Sequence, residues 1–164
     1  MNNRIEKAPS INCETFTHEV SVRPAKQTGQ GVFANRAFQT GEIVIVSRPV
    51  AFFAERTIYS LQVEKDRHVD LDMPAHYVNH ACMPTTGVRR NVFGGYDFIA
   101  LRYIASGEEI TFNYQTTEET IMGFETCLCG SQECQGTLRG FAQLPTYWRE
   151  CYPEFIAAYL LREK

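Results

Sequence analysis

The stretch CLCGSQEC, residues 127–134, places three cysteines within eight positions and constrains the fold of this 164-residue chain more than any other feature. A structural zinc site almost always has four ligands at the corners of a tetrahedron, so the fourth must come from elsewhere in the chain. Cys82 is the best candidate, because it lies in the stretch YVNHACMP beside Asn79 and His80. We therefore predict a zinc ion that holds the stretch 127–134 against the turn containing Asn79 and His80. Its four ligands would be Cys82, Cys127, Cys129 and Cys134.

The wider sequence favours metal over disulfides for this cluster. The opening stretch MNNRIEKAPSIN has no apolar core long enough for a signal peptide, and no window approaches the roughly 18 apolar residues of a membrane span. In a reducing compartment, clustered cysteines hold metal more often than they form disulfides. We expect an intracellular protein, in the nucleus or the cytoplasm, with no membrane partner. Cys13 and Cys151 stand apart and are interpreted as small apolar residues.

Composition and charge indicate one globular domain. The chain is 44% hydrophobic and 21% charged, and its formal net charge is -3. This length suffices for a sizeable core without cross-links. Direct nucleic-acid binding is disfavoured, because it needs a basic surface.

Short β patterns separated by turns run along most of the chain. HEVSVRP alternates and predicts a strand that ends at Pro24, and EIVIV predicts a strand buried on both sides. SLQVEKDRHVDL indicates a hairpin, and GGYDFIALRYIASGEEITFNY two strands with turns at residues 94–95 and 106–107. There is no parallel βαβ rhythm, which disfavours a Rossmann-type site. The predicted class is mainly β with short α elements.

The chain divides into four predicted segments. Residues 1–16 are a flexible arm, 17–115 the main domain, 116–140 the zinc segment and 141–164 a helical tail. Residues 115–126 have the composition of a linker. In the tail, helical spacing places four apolar residues on one face: Phe155, Ala158, Tyr159 and Leu161.

Three motifs offer chemistry, and each also has a plain structural explanation. GQGVFA, residues 29–34, can bring the backbone close to a ligand, although turn glycines explain it equally well. Asn79 and His80 can hydrogen-bond a polar ligand, or form a turn with a satisfied histidine. In GEEITFNY, strand alternation puts Phe112 and Tyr114 on one face, which either packs in the core or lines a channel.

Together, GQGVFA, NHACMPT, GEEITFNY and CLCGSQEC resemble, in this order, the SET-domain lysine methyltransferases, from about residue 17 to 145. The resemblance implies a knotted fold of small sheets with a C-terminal post-SET zinc knuckle and a terminal helix. S-adenosylmethionine and the substrate would enter a narrow channel from opposite faces. By position, the resemblance assigns backbone contacts with the cofactor to Gly29, Gly31, Val32 and Phe33. Further cofactor contacts fall to Tyr77, Asn79, His80 and, in the zinc-ordered lid, Leu128.

The same resemblance implies the catalytic roles and the substrate. Tyr114 matches the active-site tyrosine of the family. Phe112 matches a position where phenylalanine tends to allow repeated methylation, so we expect di- or trimethylation of a protein lysine. Histone tails are the default substrate of the family.

The sequence departs from the family pattern at three positions and leaves two other functions open. Ala81 stands where serine is frequent, Thr85 lacks an amide that braces the turn, and Asn113 replaces an aspartate behind the active-site tyrosine. One alternative is a SET-like binding module without turnover. The other is an N-methyltransferase acting on a small amine or amino acid, which the short insert between residues 50 and 74 allows.

Overall fold

Eleven short strands occur in the part of the chain that this computed structural model describes, namely residues 4–7, 18–26, 28–121, 123 and 126–162. The strands are β1 Arg4–Lys7, β2 Val20–Ala25, β3 Gly29–Ala34, β4 Ile43–Val46, β5 Pro49–Phe53, β6 Leu61–Glu64, β7 Arg67–Leu71, β8 Asn79–His80, β9 Thr86–Arg90, β10 Tyr96–Ala100 and β11 Glu109–Phe112. The predicted mainly β class is confirmed.

The strands form three small sheets. Their orders are β1-β5-β7-β6, β4-β10-β9 and β2-β3-β11-β8. Strand pairing is antiparallel except between β11 and β8, which run parallel with Thr111 opposite Asn79 and Phe112 opposite His80. This pairing places β11 directly beside the Asn-His segment, residues 79–80.

The predicted strands are present, with two local corrections. The hairpin of β6 and β7 and the turns at 94–95 and 106–107 occur where the sequence predicted them. However, β2 continues through Pro24 to Ala25, which an edge strand allows because proline there loses no ladder hydrogen bond. Ile43 is 45% exposed, because β4 is also an edge strand, so burial on both sides holds for Val44 and Ile45 only.

The core lies where the three sheets meet. Its largest aromatic pair is Phe98 on β10 and Phe112 on β11, whose ring centroids are 5.5 Å apart in an edge-to-face arrangement. Both rings are almost completely buried, and Val32 and Ile110 pack in the same cluster. The core therefore fixes the end of β11, and with it the position of Tyr114.

The tail differs from the predicted terminal helix. The one α-helix of the described residues, α1, spans Thr146–Cys151, and two 3₁₀ turns follow at Pro153–Phe155 and Ala158–Leu160. Pro153 explains the break, because proline cannot continue a helix and restricts the residue before it. Phe155 still packs inward, since a Cβ on Gly87 would lie 2.5 Å from its Cγ atom, whereas Leu161 is 47% exposed.

Two other predicted segments also differ. Residues 4–7 of the expected flexible arm form β1, paired with β5, while Cys13 lies outside the described residues. The expected linker begins with a buried stretch, residues 115–118, in which the 3₁₀ turn Tyr114–Thr116 continues from β11. Among the described residues, the structure contains no helix with the length and apolar character needed to cross a membrane.

Candidate active site

A cavity of about 510 Å³ lies where the predicted motifs converge. Its walls come from the start of β3, the loop before β6, the Asn-His segment, the turn after β11 and the cysteine segment, residues 126–129. The residues used below that line it are Arg56, Tyr77, Asn79, His80, Tyr114, Glu118 and Leu128. This volume is in the range of small-molecule and cofactor sites.

His80 is held in one tautomer by its neighbours. The backbone N–H of Tyr114 donates to His80 Nδ1 at 3.2 Å, so Nδ1 must be the unprotonated nitrogen. Nε2 therefore carries the proton and lies 3.4 Å from Cys82 Sγ. Burial lowers the pKa of His80 to about 4, which keeps the imidazole neutral. Both ring nitrogens thus have protein partners, and the ring lines the cavity as a flat wall.

Tyr114 is fixed at both its backbone and its hydroxyl. The hydroxyl donates to the carbonyl oxygen of Val78 at 2.9 Å, and the ring centroid lies 4.8 Å from that of Phe112. Burial, together with the nearby carboxylates of Glu118 and Glu109, raises the pKa of Tyr114 above its ordinary value. The side chain therefore stays a neutral phenol that donates one hydrogen bond and keeps lone pairs to accept others.

Asn79 links the start of β3 to β11 through its side-chain amide. Its Nδ2 donates to the carbonyl oxygen of Gln30 at 2.9 Å and to Glu109 Oε1 at 2.8 Å. This packing explains the glycine at position 31, because a Cβ there would lie 2.5 Å from Glu109 Oε1 and 3.0 Å from Asn79 Nδ2. With Nδ2 engaged, Oδ1 is the amide atom that Asn79 can offer to a ligand.

The cavity includes some of the predicted cofactor residues and not others. Tyr77, Asn79, His80 and Leu128 line it, and Leu128 is 55% exposed at its edge. The other predicted cofactor residues, Gly29, Gly31, Val32 and Phe33, are not among its lining residues. In this part of the chain, Thr28 and Gln30 line the cavity instead. Phe112 is 1% exposed and packs behind Tyr114.

The four predicted zinc ligands come together beside this cavity. The Sγ atoms of Cys82, Cys127, Cys129 and Cys134 all lie within 4.8 Å of one another, and those of Cys82 and Cys127 are 3.8 Å apart. Ligands at the Zn–S distance of about 2.3 Å, placed at the corners of a tetrahedron, are about 3.8 Å apart. The donor set and its spacing therefore fit a structural zinc ion.

Two of the three departures from the family pattern, Thr85 and Asn113, are accommodated locally. The Thr85 N–H donates to Thr111 Oγ1 at 3.1 Å, and the Thr111 N–H donates to Thr85 Oγ1 at 2.8 Å. Thr85 therefore braces this turn with its hydroxyl in place of an amide. Asn113 Oδ1 accepts the N–H of Gln115 at 3.0 Å, so it begins the turn after β11 without burying a charge.

The cavity wall also contains a buried ion pair that the sequence motifs do not predict. Glu118 is 2% exposed, and its Oε2 lies 3.1 Å from Arg56 Nη2. Its Oε1 accepts the backbone N–H of Gln62 at 2.8 Å and the hydroxyl of Thr117 at 3.1 Å. Burial raises the pKa of Glu118 to about 7, although Arg56 opposes the shift. The only signal in the sequence is an acidic residue four positions after the tyrosine.

Comparison with known proteins identifies the family. The family model of the SET domain matches residues 29–115, just over half of the chain. The chain belongs to the SET-domain family, as its motifs predicted.

Several named relatives share this similarity. A "Variant-silencing SET domain-containing protein" of Plasmodium falciparum is 27% identical over 145 residues, which cover 74% of this chain and 6% of that protein. A "Histone-lysine N-methyltransferase, H3 lysine-36 specific" of Cryptococcus neoformans is 31% identical over 94 residues, 54% of this chain and 11% of that protein. A protein of the same name from Yarrowia lipolytica is 27% identical over 146 residues, 76% of this chain and 19% of that protein. The chain thus spans less than a fifth of each of these relatives.

Proposed function

We propose that the chain is an S-adenosylmethionine-dependent methyltransferase that acts on the ε-amine of a protein lysine. The proposal depends on one observation: Tyr114, the Asn-His segment and the cysteine segment meet around one cavity. The proposal extends the family membership to an activity. It is supported by relatives that are named as histone-lysine methyltransferases.

The chemistry requires a neutral amine aligned with a methyl donor. The bound cofactor would supply an electrophilic methyl group on a sulfonium. Free lysine has a pKa near 10.4, so most of it is protonated at neutral pH, and an apolar channel favours the neutral form. Once the amine is neutral, alignment is the main contribution of the protein and is worth up to about 7–11 kcal/mol in favourable cases.

Tyr114 is the residue we expect to orient the amine. Its single hydroxyl proton is directed to the carbonyl of Val78, so its oxygen is available to accept an N–H from a substrate amine. As a neutral phenol it does not act as a strong base. Its role is therefore to hold the nucleophile rather than to remove a proton.

The cofactor would be held mainly by the Asn-His segment and its neighbours. Asn79 offers Oδ1, His80 and Tyr77 offer ring surfaces, and Leu128 offers an apolar edge. Thr28 and Gln30, which line the cavity at the start of β3, complete the set that we propose. These assignments place no step of the reaction on a free imidazole nitrogen, because both nitrogens of His80 are occupied.

The zinc would be structural. Four thiolates fill a tetrahedral shell and leave no position for substrate or water. We propose that the ion orders the segment 126–138, and with it Leu128, against the cavity. Loss of the ion would then affect ligand binding more than it affects the sheets.

The extent of methylation and the substrate are finer parts of the proposal. Phe112 packs behind Tyr114 without a hydroxyl, which supports di- or trimethylation over a single transfer. A histone-type lysine is proposed because relatives carry that name. An intracellular location follows from that substrate.

The test is transfer of labelled methyl from S-adenosylmethionine to mixed histones, cell extract and small amines. We expect label on a protein lysine with the wild-type chain and its loss with Tyr114→Phe. Tyr103→Phe, at a tyrosine that is 53% exposed, is the matched control and should leave transfer unchanged. Cofactor binding without transfer to any acceptor would instead indicate a binding module. Label on small amines alone would indicate an N-methyltransferase of small amines.

A further inference from the structure

One buried acidic residue of the cavity wall has no part in the function proposed above. Glu118 lies on the turn that follows Tyr114, and this turn is closed on the tyrosine itself. The carbonyl oxygen of Tyr114 accepts the N–H of Thr117 at 3.1 Å and the N–H of Glu118 at 2.9 Å. A displacement of Glu118 would therefore be transmitted to the backbone of Tyr114.

The carboxylate of Glu118 connects this turn to the hairpin of β6 and β7 and to the loop before it. Its two oxygens contact different groups of that region, Oε1 the backbone N–H of Gln62 on β6 and Oε2 the guanidinium of Arg56 on the preceding loop. Oε1 also accepts the hydroxyl of Thr117. The side chain is thus a three-way link between β6, the loop before it and the turn after β11.

Gln62 anchors the other end of this link. Its carbonyl oxygen accepts the hydroxyl of Tyr96 at 2.7 Å and lies 2.9 Å from the hydroxyl of Tyr159, which also contacts the carbonyl oxygen of Thr117. Its side chain accepts the N–H of Glu119 at 2.9 Å and donates to the carbonyl of Lys65 at 3.0 Å. Every polar group of Gln62 therefore has a partner, so β6 provides a rigid support for the carboxylate.

The geometry points to Glu118 as a positioning residue for Tyr114, whose carboxylate fixes the tyrosine in the cavity wall by tying its turn to β6 and Arg56. This inference rests on the proposed function, since it assumes that Tyr114 orients the substrate amine. Stability alone is a poor explanation of the pair, because a buried ion pair is often no more stabilising than apolar residues of the same volume. The charged and titratable groups that face the carboxylate are Arg56, Tyr96, Tyr114 and Tyr159.

Two substitutions and one control separate positioning from folding. Glu118→Gln keeps an acceptor for Gln62 and Thr117 but loses the anion beside Arg56, whereas Glu118→Ala removes the whole link. Glu119→Gln is the control, because Glu119 is an adjacent, exposed carboxylate whose side chain does not enter the wall of this cavity.

We expect kcat to fall about 10-fold for Glu118→Gln and about 100-fold for Glu118→Ala, the scale of a small misplacement of a catalytic group. KM for the peptide and the cofactor Kd should stay within about threefold, because the rest of the cavity is intact. The thermal midpoint of Glu118→Gln at pH 8 should not fall, so activity and stability would separate. A loss of kcat that tracks a loss of folded protein, or a parallel loss of cofactor affinity, would overturn the inference.

Hydrogen exchange gives a readout that does not need activity. In Glu118→Ala, amide exchange over residues 113–119 should rise relative to wild type and to Glu119→Gln. Unchanged exchange there would overturn the inference even if the chain methylates lysine. If the wild-type chain transfers no methyl to any acceptor, the proposed function fails, and exchange alone then decides whether Glu118 holds the turn. If Glu118→Ala does not fold, the same two measurements on Glu118→Gln decide the question, with a smaller increase in exchange expected.

Discussion

The hydroxyl of Tyr114 lies 2.9 Å from the carbonyl oxygen of Val78, while the backbone N–H of Tyr114 lies 3.2 Å from Nδ1 of His80. One residue is therefore tied to the Asn-His segment at both its side chain and its main chain. Because β11 and β8 are parallel neighbours, Tyr114, just after β11, is close enough to make both of these bonds in addition to the strand pairing. The tyrosine that we propose orients the substrate amine is thus placed by the same segment that we propose holds the cofactor.

This relationship predicts that Tyr114→Phe separates activity from stability. The substitution removes one hydrogen bond to Val78, so the free energy of unfolding should fall by about 1 kcal/mol. Methyl transfer should fall by at least about 100-fold if the hydroxyl aligns the amine. Denaturant unfolding and a labelled-methyl assay measure the two effects, with Tyr103→Phe as the exposed control. Equal activity in the two variants would remove Tyr114 from the mechanism.

The buried position of Phe112 leads to a second prediction, on the number of methyl groups transferred. Phe112→Tyr adds a hydroxyl behind Tyr114, where it or a water that it holds would reduce the room for a methylated amine. We expect the products to shift from di- and trimethyl-lysine to monomethyl-lysine. Intact-mass spectrometry over a time course measures this shift.

Phe98→Tyr is the matched control for that substitution. Phe98 is also fully buried and its ring contacts Phe112, so the added hydroxyl should cost a similar free energy of unfolding, about 1–3 kcal/mol if it finds no partner. The product distribution should change only in Phe112→Tyr. A wild-type reaction that stops at one methyl, unchanged by Phe112→Tyr, would contradict the assignment.

The cysteine cluster gives a third prediction. Cys129→Ser, or removal of metal with a chelator, should abolish stoichiometric zinc and weaken cofactor binding by at least about 10-fold, the scale seen when metal sites are disrupted. The sheets should persist, because the cluster in which Val32, Phe98 and Ile110 are buried does not include the cysteines. Elemental analysis, calorimetry and circular dichroism measure the three quantities.

Cys151→Ser is the control for the zinc prediction, because Cys151 is an exposed thiol outside the cluster. It should keep zinc and cofactor affinity. Protein purified under reducing conditions with no bound zinc would rule out the predicted site.

The sequence predicted the parts of this molecule that local patterns encode. Alternation and turn residues identify the hairpin of β6 and β7 and the strands β10 and β11, because neighbouring residues decide these elements. Cys82 was also identified, since a tetrahedral metal needs a fourth ligand and few cysteines were available.

The parts it missed depend on partners distant in the chain. Glu118 and Gln62 are 56 residues apart, and nothing near Glu118 in the sequence indicates that its carboxylate is buried. The stretch 115–118 is polar, which is typical of a linker, yet its side chains are buried. In the tail, only part of the predicted face turns inward, because Ala158 and Leu161 are exposed, and Pro153 replaces the expected helix with 3₁₀ turns.

The raised pKa of Glu118 gives the last prediction, on stability against pH. Its pKa is about 7 in the folded protein and about 4.5 for the free side chain, so between these values the native state holds a proton that the unfolded state has released. The free energy of unfolding contributed by this group therefore falls as pH rises from about 4.5 to 7, by on the order of 3 kcal/mol in total. Glutamine mimics the protonated form, so Glu118→Gln should match wild type near pH 5 and exceed its stability near pH 8. His68 and His80, whose pKa values burial lowers, contribute a slope of opposite sign to both proteins, and the difference between the two curves removes it. Urea unfolding at several pH values measures that difference, and curves that stay parallel for Glu118→Gln and wild type would mean that the Glu118 carboxylate is ionised at its ordinary pKa.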